Sequence, residues 1–364
     1  MVRQLWLENY YYGNIFALQY SSAKNQATIG GSITHYDGNH YGKLIWTSIV
    51  PVNKHRWYDL DALKTDVTIY AKEQRKLNDK FSYYLDLQYR QVHYTINGFR
   101  YNPQLRVINR YHFFNPRFGL TYIHKGWKAF ASYAVANKEP NRDDFEAGNS
   151  QRPGPERLYD LEISLGRNGK SFSWSATGYD MKYKDQLVLT GRINDVGAYT
   201  RENIGRSFRR GIELEGCYRF NSWFNTSGNL TISSNKVKDF TKYVDDYDNG
   251  GQKQNRFTET DIAYSPSVTG ALNLNFTACH SIMLTLENKY VGEQYLDNTS
   301  NKGRMLDAFF LQNLMVSHKF SYKKIKEAVL ILKLNNIWNT EYEPNGYTYS
   351  YYYQGETTTA NYYF

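Results

Sequence analysis

The sequence predicts an all-β protein, an antiparallel transmembrane β-barrel with about fourteen of its strands in this chain. Three observations favour this fold class. Apolar and polar residues alternate over runs of ten or more residues, as in strands with one lipid-facing side. Aromatic residues make up 17% of the chain although charged residues make up 22%, which suits aromatic girdles combined with polar loops. Short and long connections alternate along the whole chain.

Alternating runs place the strands, and no stretch indicates a helix. The fourteen predicted strands cover 14–21, 27–35, 63–76, 80–94, 111–124, 127–137, 157–168, 171–188, 206–220, 223–238, 261–276, 281–294, 306–320 and 326–337. The run 306–320 alternates least well, because Gln312 and His318 share a parity with Leu314 and Val316.

The hairpin 127–168 shows the pattern at its clearest. Its two strands carry apolar residues at every second position, namely Trp127, Ala129, Ala131, Tyr133, Val135, Tyr159, Leu161, Ile163 and Leu165. The other face of its second strand carries Asp160, Glu162 and Ser164. Carboxylates so close to an apolar face require water on their own side, and a hydrated lumen supplies it.

The connections between the strands alternate strictly in length. The short ones are 22–26, 77–79, 125–126, 169–170, 221–222, 277–280 and 321–325. The long ones are 36–62, 95–110, 138–156, 189–205, 239–260, 295–305 and 338 onward. The short ones contain residues suited to tight hairpins, such as Asn78-Asp79, Lys125-Gly126, Asn168-Gly169 and Asn221-Ser222. This rhythm is typical of an outer-membrane barrel with tight periplasmic turns and long external loops.

Loop length also sets the direction of the chain. Because the first short turn follows the first strand, that strand descends to the periplasm and the fourteenth climbs to the outside. A complete barrel of this type begins and ends on the periplasmic side. We therefore expect the chain to begin in an external segment and to stop one strand short at its C-terminus.

Composition excludes several other classes of protein. No run of 18 apolar residues indicates a transmembrane helix, and the N-terminus lacks the pattern of a signal peptide. The net charge is +9, and the basic residues are scattered along the chain. This distribution favours attraction to anionic lipid headgroups over binding of nucleic acid.

Two cysteines, Cys217 and Cys279, are too few for a disulfide framework or a zinc site. No motif of an enzyme is present, so we predict that the protein is not an enzyme.

Five segments, in order, resemble a known family. They are NPRFGLTY (115–122), SYAVANKEPNRDDFE (132–146), PGPERLYDLEISL (153–165), TRENIGRSFRRGIELEG (200–216) and LNNIWNTEYEPNGY (334–347). Together they make the chain similar to the C-terminal part of a TonB-dependent outer-membrane receptor of the Bacteroidota type.

The resemblance implies a 22-stranded barrel around an N-terminal plug domain, with the present strands as numbers 8 to 21. Residues 1–364 would then all belong to the barrel, without the plug and the last strand. The implied partners are outer-membrane lipid and lipopolysaccharide, the TonB-ExbB-ExbD complex reached through the plug, and a surface lipoprotein. No cofactor or metal is implied.

The function implied by the resemblance is energised uptake of a scarce ligand: an iron-siderophore, haem, cobalamin or a glycan. We expect this chain to be a truncated receptor that is not transport-competent alone. A passive outer-membrane channel, with fourteen strands closed on themselves, is the alternative. A soluble carbohydrate-binding β-protein is a third reading, which would require long loops at both ends.

The candidate ligand-facing residues lie in two external segments. The loop 138–156 contributes Lys138, Glu139, Asn141, Arg142, Asp143, Asp144, Arg152 and Glu156, where many haem and siderophore receptors carry an FRAP-like element. The C-terminal segment contributes Tyr349, Tyr351, Tyr352 and Tyr353, which could stack on a ligand or extend an aromatic girdle. The run DDYDNGG at 245–251 resembles part of a calcium loop, but without the required Glu an acidic, solvated loop is the better interpretation.

Overall fold

The computed structural model describes residues 1–48, 55–147, 152–193, 199–279 and 281–364, with the side chains of 199, 200 and 279 excepted. The described residues form nineteen strands and one short 3₁₀ helix. The strands are β1 (Val2–Ser21), β2 (Asn25–Trp46), β3 (Arg56–Lys76), β4 (Phe81–Asn97), β5 (Arg106–His124), β6 (Trp127–Lys138), β7 (Glu156–Asn168), β8 (Phe172–Ile193), β9 (Tyr199–Arg219), β10 (Phe224–Asp246), β11 (Gln252–Asp261), β12 (Val268–Cys279), β13 (Ile282–Val291), β14 (Gln294–Tyr295), β15 (Met305–Leu306), β16 (Phe309–Tyr322), β17 (Ile325–Leu334), β18 (Gly346–Tyr353) and β19 (Glu356–Tyr363).

Fourteen of these strands form one antiparallel meander, which confirms the predicted all-β class. Strands β1 to β10 each pair with the next. The meander continues through β12, β13, β16 and β17. Within the described residues, the ladders join β1 only to β2 and β17 only to β16. The described strands therefore do not close into a barrel by themselves.

The tight turns of the meander all lie at one end. Lys125 and Gly126 have φ of 47° and 82°, the left-handed conformation of a two-residue hairpin turn. The side-chain oxygen of Asn78 accepts the backbone N–H groups of Lys80 and Phe81, and Asn221 caps the β9–β10 turn in the same way. The described tight turns lie where the sequence predicted the short connections.

The strands extend further from the tight turns than predicted. Residues 1–13 belong almost entirely to β1 and not to a loop. The predicted loop 239–260 is largely the β10–β11 hairpin, and the predicted C-terminal loop contains the β18–β19 hairpin. These predictions were wrong because outside a membrane both faces of a strand meet water or protein. Backbone pairing then persists without the one-sided apolar pattern.

Two local features also differ from the prediction. A 3₁₀ helix spans Arg142–Ala147, where the sequence indicated only loop. The predicted strand 306–320, which alternates least well in sequence, corresponds to β16, and β16 pairs with both β13 and β17. Its Gln312 donates to Asn288 (2.6 Å) and accepts from the Trp338 indole (2.8 Å), so the polar group is satisfied on an otherwise apolar face. Among the described residues, no helix is long and apolar enough to cross a membrane.

The two faces of the sheet exchange polarity along the strands. On β4, the lumen face carries Ser82, Tyr84, Asp86, Gln88 and Arg90 near the tight turn. Further out, the same face carries three buried residues, Val92, Tyr94 and Ile96. They belong to an outer core with Ala62, Phe99, Leu105, Val107, Phe113 and Phe145. The lumen side is thus polar at the membrane level and hydrophobic beyond it.

A second core lies beside β8–β10, at Val188, Ile204, Val237, Phe240 and Ile262. Its residues would not all share a face in regular strands. Asp185 and Asp239 adopt left-handed φ values of 58° and 54°, so each interrupts the alternation of its strand. Val188 and Phe240 thereby reach the same side as Val237.

Candidate functional site

The loop between β6 and β7 enters the mouth of the sheet. Glu139 and Pro140, which open the loop, are buried, and Phe145 of the 3₁₀ helix is fully buried in the outer core. Its ring lies 5.7 Å from that of Tyr94. A segment predicted as an external loop is therefore anchored against the inner wall of β3–β5.

Glu139 is the centre of a cluster of charges on the inner wall. Its carboxylate accepts both terminal nitrogens of Arg90, each at 2.8 Å, and Nζ of Lys64 at 2.9 Å. Arg90 also binds Asp66 through Nε and Nη2, at 2.9 and 2.5 Å. Tyr94 Oη lies 3.4 Å from Glu139. The two cations and two carboxylates of the cluster thus neutralise one another. A single unpaired charge at this buried position would destabilise the fold.

The pKa of Glu139 reflects this cluster. Burial by itself would raise the pKa of the carboxyl group, but the hydrogen bonds from Arg90 and Lys64 outweigh burial and lower the pKa to about 2. Glu139 follows the last residue of β6 and lies beyond the membrane-level part of the sheet. The loop therefore keeps its charged anchor at every physiological pH.

The helix 142–147 has its own fixing contacts. Asp144 accepts the backbone N–H of Asn141 (2.7 Å) and lies 3.7 Å from Nε of Arg201 on β9. Arg142 places its guanidinium 4.7 Å from the Phe99 ring centroid and donates to the Gly98 carbonyl. The Asp143 side chain, in contrast, is 91% exposed. Arg142 and Asp144 are thus held by contacts with the protein, whereas Asp143 is presented to solvent.

The ends of the loop are tied to neighbouring strands. Lys138 and Glu156 form an ion pair of 3.1 Å across the base of the loop, and Glu156 also accepts the N–H of Leu187. Arg152 contacts Asn109 and the carbonyl of Arg106 on β5, at 3.4 Å each. These candidates therefore hold the loop in place, and their charges are largely used within the protein.

The four candidate tyrosines lie elsewhere, on β18. Tyr349 Oη is 2.7 Å from Tyr247 Oη, and the Tyr351 ring lies 5.3 Å from the Tyr247 ring. Tyr352 receives Nζ of Lys253 over its ring, whereas Tyr353 is exposed. They pack the C-terminal hairpin against the outer end of β10, so the structure does not make them a girdle at membrane level.

A second charge cluster, absent from our predictions, fastens the outer segments together. Asp297 accepts from Lys242 (2.6 Å) and from Arg304 (2.7 Å), and Arg304 also donates to Thr359 on β19. Burial is the main reason that the pKa of Lys242 is lowered; burial alone would raise the pKa of Asp297, yet its two cations lower it. The loop 292–308, β10 and the C-terminal hairpin thus form one body.

The acidic run near 245–251 serves as a turn. Asp246 accepts the backbone N–H groups of Asp248 and Asn249 at 3.1 Å each, while Asp248 accepts those of Gln354 and Gly355. In the part of the chain that the structure describes, no group of three or more His, Cys, Asp or Glu side chains is arranged to hold a metal ion.

Beneath the loop, the membrane-level lumen holds a cavity of about 950 Å³. Its wall is largely small and polar, with Ser164, Thr177, Glu215 and Asn229 among the lining residues. Cys217, an exposed free thiol, also faces it and lies 2.9 Å from the Ser173 hydroxyl. The face of β9 that carries Glu215 and Cys217 is therefore the lumen face.

The position of the loop was predicted from the sequence, but the residues that anchor it were not. Lys64, Asp66, Arg90 and Tyr94 were not among the candidate residues. The available signal was their parity, because all four occupy lumen-facing positions on β3 and β4. Glu139, however, is 49 residues from Arg90 and 75 residues from Lys64 in the sequence. The strand register and the path of the loop decide that these charges meet.

Comparison with known sequences identifies a matching family model. The model described as "TonB dependent receptor-like, beta-barrel" matches residues 3–337. No curated protein matches this sequence significantly.

Solved structures share the fold at low sequence identity. The "Copper transporter OprC" superposes with a TM-score of 0.74 at 12% identity, covering 93% of this chain and 52% of that one. The siderophore receptor PiuA from Acinetobacter baumannii gives 0.72 at 13%, covering 99% and 54%. The ferric citrate transporter FecA gives 0.66 at 11%, covering 100% and 53%. This chain thus spans about half the length of the structures it resembles.

Proposed function

The chain belongs to the TonB-dependent receptor β-barrel family, and we propose that it forms part of the wall of an outer-membrane receptor for energised uptake of a scarce ligand. Proteins of this family are outer-membrane transporters and receptors, not enzymes. The fourteen-strand meander and its one-sided tight turns support the same assignment for this chain.

The main support for this proposal is that the loop that opens at Glu139 is fixed inside the mouth, by the ion pair of Glu139 with Arg90 and by the buried ring of Phe145. A loop held against the inner wall narrows the path into the lumen. Its exposed carboxylate, Asp143, and the neighbouring turns are then the surfaces that an arriving ligand meets first. Passage beyond the loop would require a moving part, and in this proposal TonB supplies the force for that movement.

Several finer points are part of the proposal. All of residues 1–364 would be barrel wall, with the plug and further strands outside this stretch, as the half-length coverage of the solved structures suggests. The ligand would be an iron-siderophore, haem, cobalamin or a glycan. The receptor would be of the Bacteroidota type. TonB-ExbB-ExbD would act through the plug, and a surface lipoprotein would assist capture. The barrel would contact outer-membrane lipid and lipopolysaccharide.

Uptake measurements in cells test this proposal. A strain that expresses the protein from its own locus and a strain lacking it are offered a panel of ferric siderophore, haem, cobalamin and oligosaccharide. We expect uptake of one ligand to require the protein and to stop when a protonophore removes the energy source. Uptake that continues without energy would instead favour the passive channel.

A substitution at the anchor makes the test specific. Glu139→Gln removes the charge that holds Arg90 and Lys64, whereas Glu341→Gln removes the same charge from an exposed position. We expect altered ligand affinity only for Glu139→Gln. Identical affinity in both variants and in the wild type would contradict a role of the loop in ligand capture.

A further inference from the structure

The outward face of β8–β10 carries a groove that ends in a cluster of cations. The groove follows β8, whose outward residues are small at two successive positions, Ala176 and Gly178. Larger apolar side chains stand on both sides. In the register, Gly178 lies between Ile163 and Ile212, and Ala176 between Leu165 and Leu214.

The space above Gly178 is empty. A Cβ atom placed there would meet no atom within 4 Å. The flanking strands β7 and β9 are two strand spacings apart, about 10 Å, which is wide enough for a hydrocarbon chain to lie along β8. Trp174 closes the groove toward the tight turns, where its ring meets Trp127 edge-on.

Toward the outer side, the groove meets charged residues. Asp180 follows Gly178 on the same face and contacts both Lys182 (3.1 Å) and Arg210 (3.5 Å). Arg210 also lies 4.0 Å from the ring centroid of Phe208, and Lys238 lies 5.9 Å from it. These contacts place two cations against one outward-facing ring, and Lys182 is the register partner of Phe208 across β8 and β9.

The cations exceed the carboxylates that touch them. We define the basic patch as Lys182, Lys184, Arg206, Arg210 and Lys238. Asp180, Asp239 and Glu259 pair with members of the patch, so two positive charges remain. Lys182 and Arg206 are 64% and 78% exposed. Their ends therefore project beyond the carboxylates and can reach a further anion.

The height of the patch fits a lipid headgroup. Between the tight turn after Asn168 and Asp180, the outward residues of β8 are uncharged, over about nine residues. A barrel strand crosses a bilayer in about 9–11 residues. The patch therefore lies where the hydrocarbon of the outer leaflet ends. Guanidinium and ammonium groups at that level are suited to phosphate.

We propose that the β8 groove and the basic patch form a binding site for a phosphorylated lipid of the outer leaflet, with an acyl chain along Ala176 and Gly178 and its phosphate at Lys182, Arg210 and Lys238. The inference rests on the membrane location in the proposed function. It commits to a lipid and not to free phosphate, because the groove and the patch are continuous. The ligand-uptake path on the lumen side is a separate feature of the molecule.

Two variants separate the two halves of the site. Lys182→Gln with Arg210→Gln removes charge from the patch, and Gly178→Leu fills the groove without a change of charge. Matched controls are Arg106→Gln with Arg110→Gln, two exposed basic positions on β5, and Gly270→Leu on β12, which lies beside outward-facing Leu230 and away from the groove.

Binding is measured by native mass spectrometry of the detergent-purified protein with added diphosphoryl lipid A, and with the same lipid after enzymatic dephosphorylation. We expect the patch variant to weaken binding about tenfold or more, because it removes two of the cations that attract the phosphate. Gly178→Leu should also weaken binding, while both controls bind like the wild type. Dephosphorylated lipid should bind weakly to every form.

Three results would overturn the inference: equal binding by the patch variant and its control, equal binding of the dephosphorylated lipid, or complete competition by inorganic phosphate at concentrations comparable to the lipid. Ligand uptake is measured in parallel. Loss of lipid binding with uptake intact leaves the proposed function standing. Absent uptake with retained lipid binding contradicts the proposed function and not the lipid site.

Discussion

The membrane-level half and the outer half of the same strands follow opposite rules. Near the tight turn of β4, Leu85 and Leu87 face outward while Asp86 faces the lumen. Farther out on the same strand, Val92 and Ile96 face inward and are almost fully buried. The backbone pairing is continuous through both halves. What differs is the solvent on each side.

This difference separates the sources of stability in the two halves. At membrane level, lipid surrounds the outward apolar face, and the lumen can remain polar. Beyond the membrane, water contacts the outside, so apolar side chains must be buried among the strands and under the loop. The outer half therefore packs like a soluble domain.

The strongest test uses two neighbouring phenylalanines on β5. Phe113 is 3% exposed in the outer core, and Phe114 points outward and is 56% exposed. We expect Phe113→Ala to lower the free energy of unfolding by about 3–5 kcal/mol, and Phe114→Ala by about 1 kcal/mol or less. Urea unfolding of the protein in phospholipid vesicles measures both. Similar losses at the two positions would contradict an inward core at this level.

A second test compares two outward isoleucines. Ile163 lies within the apolar band of β7, and Ile108 lies in the outer half of β5; both are more than half exposed. Arginine at Ile163 should destabilise the protein by about 2–4 kcal/mol because it faces hydrocarbon. Arginine at Ile108 faces water and should cost less than about 0.5 kcal/mol. Unfolding in vesicles again provides the measurement, and equal costs would place the membrane boundary elsewhere.

The Glu139 cluster gives a pH-dependent test. A carboxyl pKa of about 2 in the folded protein, below the ordinary value of about 4.3, stabilises the fold above the ordinary value. That contribution is lost as the pH falls from about 4.3 to 2. We expect Glu139→Gln to remove about 2–3 kcal/mol at pH 7 and to flatten this part of the stability profile.

The control for this acid effect is Asp143→Asn, since the Asp143 side chain is 91% exposed. Asp143→Asn should leave the pH dependence of stability unchanged between about pH 4.3, the ordinary pKa of a Glu carboxyl group, and about pH 2, the lowered pKa of Glu139. A profile that Glu139→Gln does not alter would show that the carboxylate is not the anchor of the loop.

The smallest effect concerns the C-terminal hairpin. Asp248 accepts the backbone N–H groups of Gln354 and Gly355 at the tip of the β18–β19 turn. We expect Asp248→Ala to cost about 1 kcal/mol, as for the loss of exposed hydrogen bonds, and to speed amide hydrogen exchange at 346–363. Asp307→Ala, at an exposed position, is the control. Unchanged exchange in the hairpin would show that other contacts hold it.

Much of the fold could be predicted from sequence because one physical constraint repeats. Each crossing strand needs an apolar stripe, as in Leu161, Ile163 and Leu165, and each tight turn needs residues such as Lys125-Gly126. The anchors of the mouth loop follow no such repeat. Lys64 and Arg90 are ordinary charged residues on polar faces until the loop brings Glu139 to them.

The sequence alone determined the fourteen-strand meander, its tight-turn end and its lipid-facing side, since lipid selects residues by position within each strand. The tertiary structure alone decided the inward core of the outer half, the inversions at Asp185 and Asp239, and the charge clusters around Glu139 and Asp297. These depend on contacts between residues distant in the chain, and water on both sides of a strand leaves no periodic trace of them.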